Sequence, residues 1–275
     1  MNYLHARIKS LILNPTLFIP PIFNILYKKI FITNIRSEWI ENKIDYGYIF
    51  KVFNKKMVLN GPFKGMLYPS LDSTGSALFP KLLGSYEREL HAEIDDLLKK
   101  KFIKIIDIGC AEGYYAVGFA RFSPNAKIFV FDINQYAIKM CKKMASLNGI
   151  NNMIYNKACT TKWILDNDLS NSLIISDCEG FELDLFTDKK TVLSLSKTTI
   201  LIETHDFVDL YISDKLKNCY SESHYIKSIY SMDDIKKTKL YNYPELNNAD
   251  VKTKYAILRE GRPYSMEWLI LTPKH

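Results

Sequence analysis

One stretch constrains this chain more than any other: KFIKIIDIGCAEGYYAVGFARF, residues 101–122. An apolar run too short for a helix ends at Asp107 and Ile108, a turn carries Gly109 and Gly113, and helical spacing follows. Glycines in such a turn let the backbone come close to a ligand. From residue 102 onward, short apolar runs alternate with helical stretches. Strands are expected at 103–108, 127–133, 153–158, 172–177, 199–203, 225–230 and 268–271. Helices are expected at 114–122, 135–148, from 182 onward and at 208–218, with an earlier one in 86–100. Strands alternating with helices specify an α/β fold, a doubly wound and mainly parallel sheet with helices on both faces. The chain of 275 residues is 47% hydrophobic and 24% charged, enough for a full core, which excludes disordered and fibrous classes.

The charge is lopsided. Residues 1–60 hold nine Lys/Arg and three Asp/Glu, so six of the seven net positive charges lie there. That argues against a uniformly basic nucleic-acid binder and for a basic N-terminal face. Between Lys9 and Lys28 lie 18 uncharged residues, but Pro15, Pro20 and Pro21 interrupt any helix and no small-residue cleavage site follows. Three readings stand: an extension packed on the core, an interfacial segment with lysines facing anionic headgroups, or a span. Residues 1–84 are read as this basic and apolar extension, with MVLNGPFKG as strand, turn, strand, and 85–275 as the Rossmann-like domain. Five scattered cysteines with no CxxC pair fit a reduced, cytoplasmic chain and not a disulfide scaffold or zinc site, and the interfacial reading of residues 1–60 would place it peripherally on the inner membrane face.

The glycine turn fails the dinucleotide pattern GxGxxG, because Ala111 and Tyr114 stand where glycines are needed. What remains is D-x-G-x-x-x-G from Asp107, with Asp132 ending the second strand 25 residues later. An acid there accepts bonds from both ribose hydroxyls of a nucleoside. Asp107 would repel a phosphate, so a ligand with an amino group fits better. Those requirements together describe S-adenosylmethionine.

With these residues the sequence resembles the class I methyltransferases. Asp107, Gly109, Ala111 and Gly113 match their first motif and Asp132 their ribose-binding acid. The resemblance implies a seven-stranded sheet with an antiparallel last strand. It also implies that Glu112 and Tyr114 line the methionine end, with the NKA stretch ending at Ala158 by the adenine. Cys110 and Ile133, beside the two motifs, join the cofactor set.

Three further pieces resemble the FkbM family of O-methyltransferases. They are D-x-E-G-x-E from Asp177 through Glu179 to Glu182, E-x-H from Glu203 to His205, and G-x-Y-E ending in Tyr86 and Glu87. The resemblance adds Tyr86, Glu87 and Asp177 to the cofactor set and implies a sugar or glycan hydroxyl as acceptor. One departure is Ile175, where the family often has a lysine. Removing the hydroxyl proton needs a base. His205 is the favoured one, because its ordinary pKa of about 6.5 lies nearest working pH. Asp177 would orient the substrate or the imidazole, or hold the cofactor's ammonium, and Glu179 and Glu203 are the alternative bases. Asp177, Glu179, Glu203 and His205 also form an oxygen-rich set with one imidazole, a pattern for a divalent ion, but no metal is assigned. Residues 231–265 would overhang the crevice as a lid, with Tyr241, Tyr243, Arg259 and Arg262 gripping the acceptor. The rival readings are RNA methylation, disfavoured because DCEG replaces the N/D-P-P-aromatic segment, and a cofactor-binding but inactive subunit of a glycan assembly complex.

Overall fold

The computed structural model describes residues 44–275 except Asp72, Thr74, Gly75, Pro263 and His275. The apolar run at 10–27 and most of the basic segment lie outside the described residues. The chain divides into two compact units, Met1–Tyr46 and Gly47–His275, and the second holds the sheet.

Seven strands form this sheet: β1 Lys104–Ile108, β2 Lys127–Phe131, β3 Met153–Asn156, β4 Ser172–Ser176, β5 Thr199–Thr204, β6 His224–Tyr230 and β7 Glu267–Pro273, in the order β3-β2-β1-β4-β5-β7-β6. The first five pair in parallel, and β7 runs antiparallel to both β5 and β6. The central strands β1, β4 and β5 are almost wholly buried because helices cover both faces of a parallel sheet. Every strand reading is met, with ends shifted by one or two residues. Asp132 and Asp177 lie just beyond their strands, free to point into the crevice, whereas Glu203 stays within β5.

The helices, in chain order, are α1 Tyr46–Val52, α2 Leu78–Leu83, α3 His91–Leu98, α4 Tyr114–Ala120, α5 Gln135–Leu147, α6 Thr161–Leu165, α7 Glu182–Phe186, α8 Lys189–Ser194, α9 Ile212–Tyr220, α10 Asp234–Leu240 and α11 Val251–Leu258. α5 shows how the sequence dictates them. The Asn134 side chain caps it by accepting from the Tyr136 N–H, and Ala137, Met140, Cys141, Met144 and Ala145 fall on its buried stripe.

Two expectations are corrected. Residues 47–84 belong to the same compact unit as the sheet, so the boundary at 84/85 does not hold. Phe63 is the wedge: its ring meets Tyr114 at 5.2 Å and Phe119 at 5.6 Å, both on α4, and it abuts Gly118, where a Cβ would stand 2.7 Å from it. MVLNGPFKG forms only one bridge, Met57 to Leu67. The connection 231–265 is largely helical, α10 and α11 each starting from an aspartate cap, Asp233 and Asp250. No helix among the described residues is long and apolar enough to cross a membrane.

Candidate active site

The parallel strands all end at one edge, and the glycine turn follows β1 there. Gly109, Ala111 and Gly113 take left-handed φ values of 84°, 47° and 97°. At Gly109 the reason is a close approach: a Cβ would stand 1.8 Å from the Asp177 carbonyl oxygen. The β1 turn and the β4 loop are thus locked together through backbone. Ala111 is held in its strained conformation by Asp132, whose carboxylate accepts from the Ala111 N–H at 2.9 Å and the Asn134 N–H at 2.7 Å. Burial raises the Asp132 carboxyl, and these two donors counter part of that rise. Asp107 is buried, and its Oδ2 has no hydrogen-bond partner. Burial lifts this carboxyl to about 8, with Asp177 and Asp132 adding to the rise against a bond from the Ala116 N–H.

Beyond β4 and β5 the carboxylates converge. The His205 Nδ1 lies 2.6 Å from Oε1 of fully buried Glu182. Its Nε2 faces Asp177 at 3.4 Å, Glu179 at 3.7 Å and Glu203 at 3.9 Å. Burial disfavours a charge on the ring, but the carboxylates of Asp177 and Glu182 beside it outweigh that and lift the imidazole to about 11. Burial would raise Asp177 as well, yet His205 holds it below its usual value. Glu179 is raised by burial and by Asp177, and Glu203 is raised well above its usual value for the same reasons. A ring at about 11 carries its proton at neutral pH. The expectation that His205 accepts a proton is therefore corrected, because its four carboxylate neighbours already hold one on it.

A second charged cluster lies behind the first. Arg262 reaches Glu87 and Glu203, and also Glu260 at 3.0 Å, while Lys237 binds Glu260 and sits 3.6 Å from Glu89. Glu87 takes a left-handed φ of 46° and accepts from the Tyr115 hydroxyl, and burial pushes it to about 7 despite Arg262. Its carboxylate is committed to the protein and not to a cofactor. Arg262, expected to grip an acceptor, is occupied by three acids. Tyr241 and Tyr243 are also corrected: they are 6% and 8% exposed, with the Arg88 guanidinium over their rings at 4.6 and 5.3 Å. Rings so covered cannot stack on a substrate. Arg259 ends α11, half-buried.

The remaining cofactor candidates fall into two groups. Glu112 is buried in an ion pair with Lys81 at 2.5 Å, and Tyr86 and Tyr114 pack edge to face at 5.4 Å. Cys110 is buried, whereas Ile133 is exposed and Ala158 lies on the same rim beyond β2 and β3. Sequence reasoning missed Glu182 as the partner of the imidazole, although its place in D-x-E-G-x-E was the available signal. It also missed Phe207, whose ring lies 5.7 Å from His205 and 5.6 Å from Tyr264.

This topology, with a glycine turn after β1 and an acid after β2, defines a class I S-adenosylmethionine-dependent methyltransferase. The model of the methyltransferase domain family matches residues 99–250, and the chain belongs to that family. No curated protein matches in sequence. Solved structures of similar fold include the bifunctional kinase-methyltransferase WbdD, at 14% identity and TM-score 0.42, covering 67% of this chain and 38% of that one. Another is precorrin-6y C5,15-methyltransferase from Geobacter metallireducens GS-15, at 11% identity and TM-score 0.43, covering 66% and 89%. A third is TrmN from Thermus thermophilus, at 11% identity and TM-score 0.41, covering 71% and 52%.

The residues present fit the cofactor. The unpartnered Asp107 oxygen asks for a donor such as an ammonium. The glycine turn leaves space a side chain would fill, and Asp132, half-buried at the rim, keeps lone pairs for hydroxyls.

Proposed function

We propose that the enzyme transfers a methyl group to a hydroxyl of a sugar or glycan, as an O-methyltransferase of FkbM type. The observation that carries this reading is a cavity of about 240 Å³ beyond the end of β5, lined by Phe207, whose ring lies 5.7 Å from His205, and by Tyr230 and Tyr264 together with Asp206, Asp214 and Lys217. Aromatic faces suit the C–H faces of a sugar ring, and the acids and the lysine suit its hydroxyls. The three FkbM-like segments also meet at one edge: Asp177 and Glu179 after β4, Glu203 and His205 around the end of β5, and Glu87 behind them.

S-adenosylmethionine, when bound, would supply a sulfonium methyl as the electrophile and a neutral thioether as the leaving group. The chain's part is to position that oxygen and take its proton. Glu179 is the fitting base: its side chain is 76% exposed at the mouth, and its raised pKa makes it a better proton acceptor than an ordinary carboxylate. Asp177 and His205 orient the acceptor, and Arg262 keeps Glu203 in place.

The test is transfer of labelled methyl to glycan, RNA and protein fractions by the full chain. Label is expected in glycan, and Glu179→Gln should lower kcat by about a hundredfold or more with cofactor affinity nearly unchanged. Label in RNA would overturn the reading, as would cofactor binding without turnover on any glycan.

A further inference from the structure

We propose that Asp177, Glu203 and His205 hold a divalent cation at the mouth of the active site. Each offers one ligand atom, and the three atoms lie within 4.8 Å of one another. The inference rests on reading these strand ends as the reacting centre, but not on the acceptor's being a sugar.

Four features of the geometry point the same way. First, Glu182 holds Nδ1 of the ring at 2.6 Å, so a cation that displaces the Nε2 proton leaves the remaining proton on Nδ1 and takes up the Nε2 lone pair that faces the carboxylates. A carboxylate orienting the far nitrogen of a histidine is the usual outer-shell arrangement at metal sites. Second, Asp177 Oδ1 is sealed from solvent and has no hydrogen-bond donor, while Nε2 stands 3.4 Å away. An oxygen without a close hydrogen bond, set opposite an imidazole nitrogen, offers one cation two ligand atoms. Third, the spacing is right. Two donor atoms on one ion at ~2.1 Å are about 3.0 Å apart at a right angle and about 3.4 Å apart at a tetrahedral one. The separations of Nε2 from Asp177, Glu179 and Glu203, 3.4 to 3.9 Å, need only a small contraction. Fourth, the charges do not balance: Asp177, Glu179, Glu182 and Glu203 surround one imidazole, and Arg262 pairs only with Glu203 among them.

The donor set of carboxylate oxygens and one imidazole suits a borderline-hard ion such as Mn²⁺ better than an all-oxygen magnesium site or a thiolate zinc site. The exposed side, where Glu179 stands, leaves coordination positions for water or an acceptor hydroxyl. An ion there would lower that hydroxyl's pKa and fix its oxygen, while Glu179 takes the proton.

The test uses Mn²⁺ and the full chain after treatment with chelator, with neither cofactor nor acceptor, so its outcome is independent of methyl transfer. Binding is read as loss of the free Mn²⁺ paramagnetic resonance signal. We expect one ion per chain, and affinity weaker by about tenfold or more in Asp177→Asn and in His205→Gln. Asp184→Asn, on α7 away from the three ligands, should bind like wild type. His205 is buried, so Asp177→Asn, which is isosteric and lies in a loop, decides alone wherever His205→Gln fails to fold. An undiminished free signal with wild type at protein concentrations on the order of 100 micromolar, above the dissociation constants of about 10 micromolar or less of buffer and sensor cation sites, would overturn the site. Equal affinity in Asp177→Asn and wild type would overturn it too. Binding without methyl transfer would leave the cation site standing and count against the proposed activity instead.

Discussion

Asp107 is a buried acid with one oxygen satisfied and one not, and its carboxyl sits at about 8. Between about pH 4 and pH 8 the unfolded chain has lost this proton while the folded chain keeps it. The folded state then binds more protons, so stability falls as pH rises across that window. Asp107→Asn keeps the shape and removes the ionisation. Its melting temperature should fall less steeply from about pH 5 to about pH 8 than that of the wild type. The cofactor inverts the demand, since an ammonium needs the ionised carboxylate. Calorimetry should show wild-type affinity for S-adenosylmethionine rising toward pH 8 by up to about tenfold per unit, with protons released on binding. The variant should bind more weakly and lose that slope; a parallel slope would remove Asp107 from the ammonium site.

At the scale of elements, the region 47–84 acts as part of the core. Phe63 is 1% exposed against α4, the helix that opens from the glycine turn. Phe63→Ala should cost about 3–5 kcal/mol in denaturant unfolding, far more than an extension that merely lies on the surface would allow. The strands were legible in the sequence because strands buried on both faces read as unbroken apolar runs. The acids were legible because each directly follows or ends such a run. Phe63 was not, because a lone aromatic among turns carries no period. Nor were the partners of Arg262, because Glu87 lies 175 residues away in sequence and no spacing rule joins them. Tyr241 and Tyr243 were misread as facing substrate because they lie in the short link after α10, where no helical or strand period marks a buried side.

For the whole molecule the unequal charge is the leading feature. Six of seven net positive charges fall in residues 1–60, and Lys55, Lys56, Lys142 and Lys143 line a groove of about 690 Å³ beside Leu67, Tyr68 and Leu147. Basic side chains beside apolar ones favour an anionic membrane surface. Purified protein should co-sediment with vesicles containing anionic lipid, and recovery should fall as salt rises, since a Debye length of about 10 Å at about 0.1 M shortens further. Equal recovery with neutral vesicles would discount the membrane reading.

The last of the seven strands in chain order, β7, lies between β5 and β6, and Arg262 sits in the connection just ahead of it. While a nascent chain still lacks β7, β6 has no sheet partner and β5 shows a bare edge. Before that connection is made, Glu87 and Glu203 also have no guanidinium, so the half-made centre is held open by like charge. Closing the sheet and neutralising the centre are therefore one event during synthesis. A chain stalled before Arg262 would offer chaperones an apolar edge.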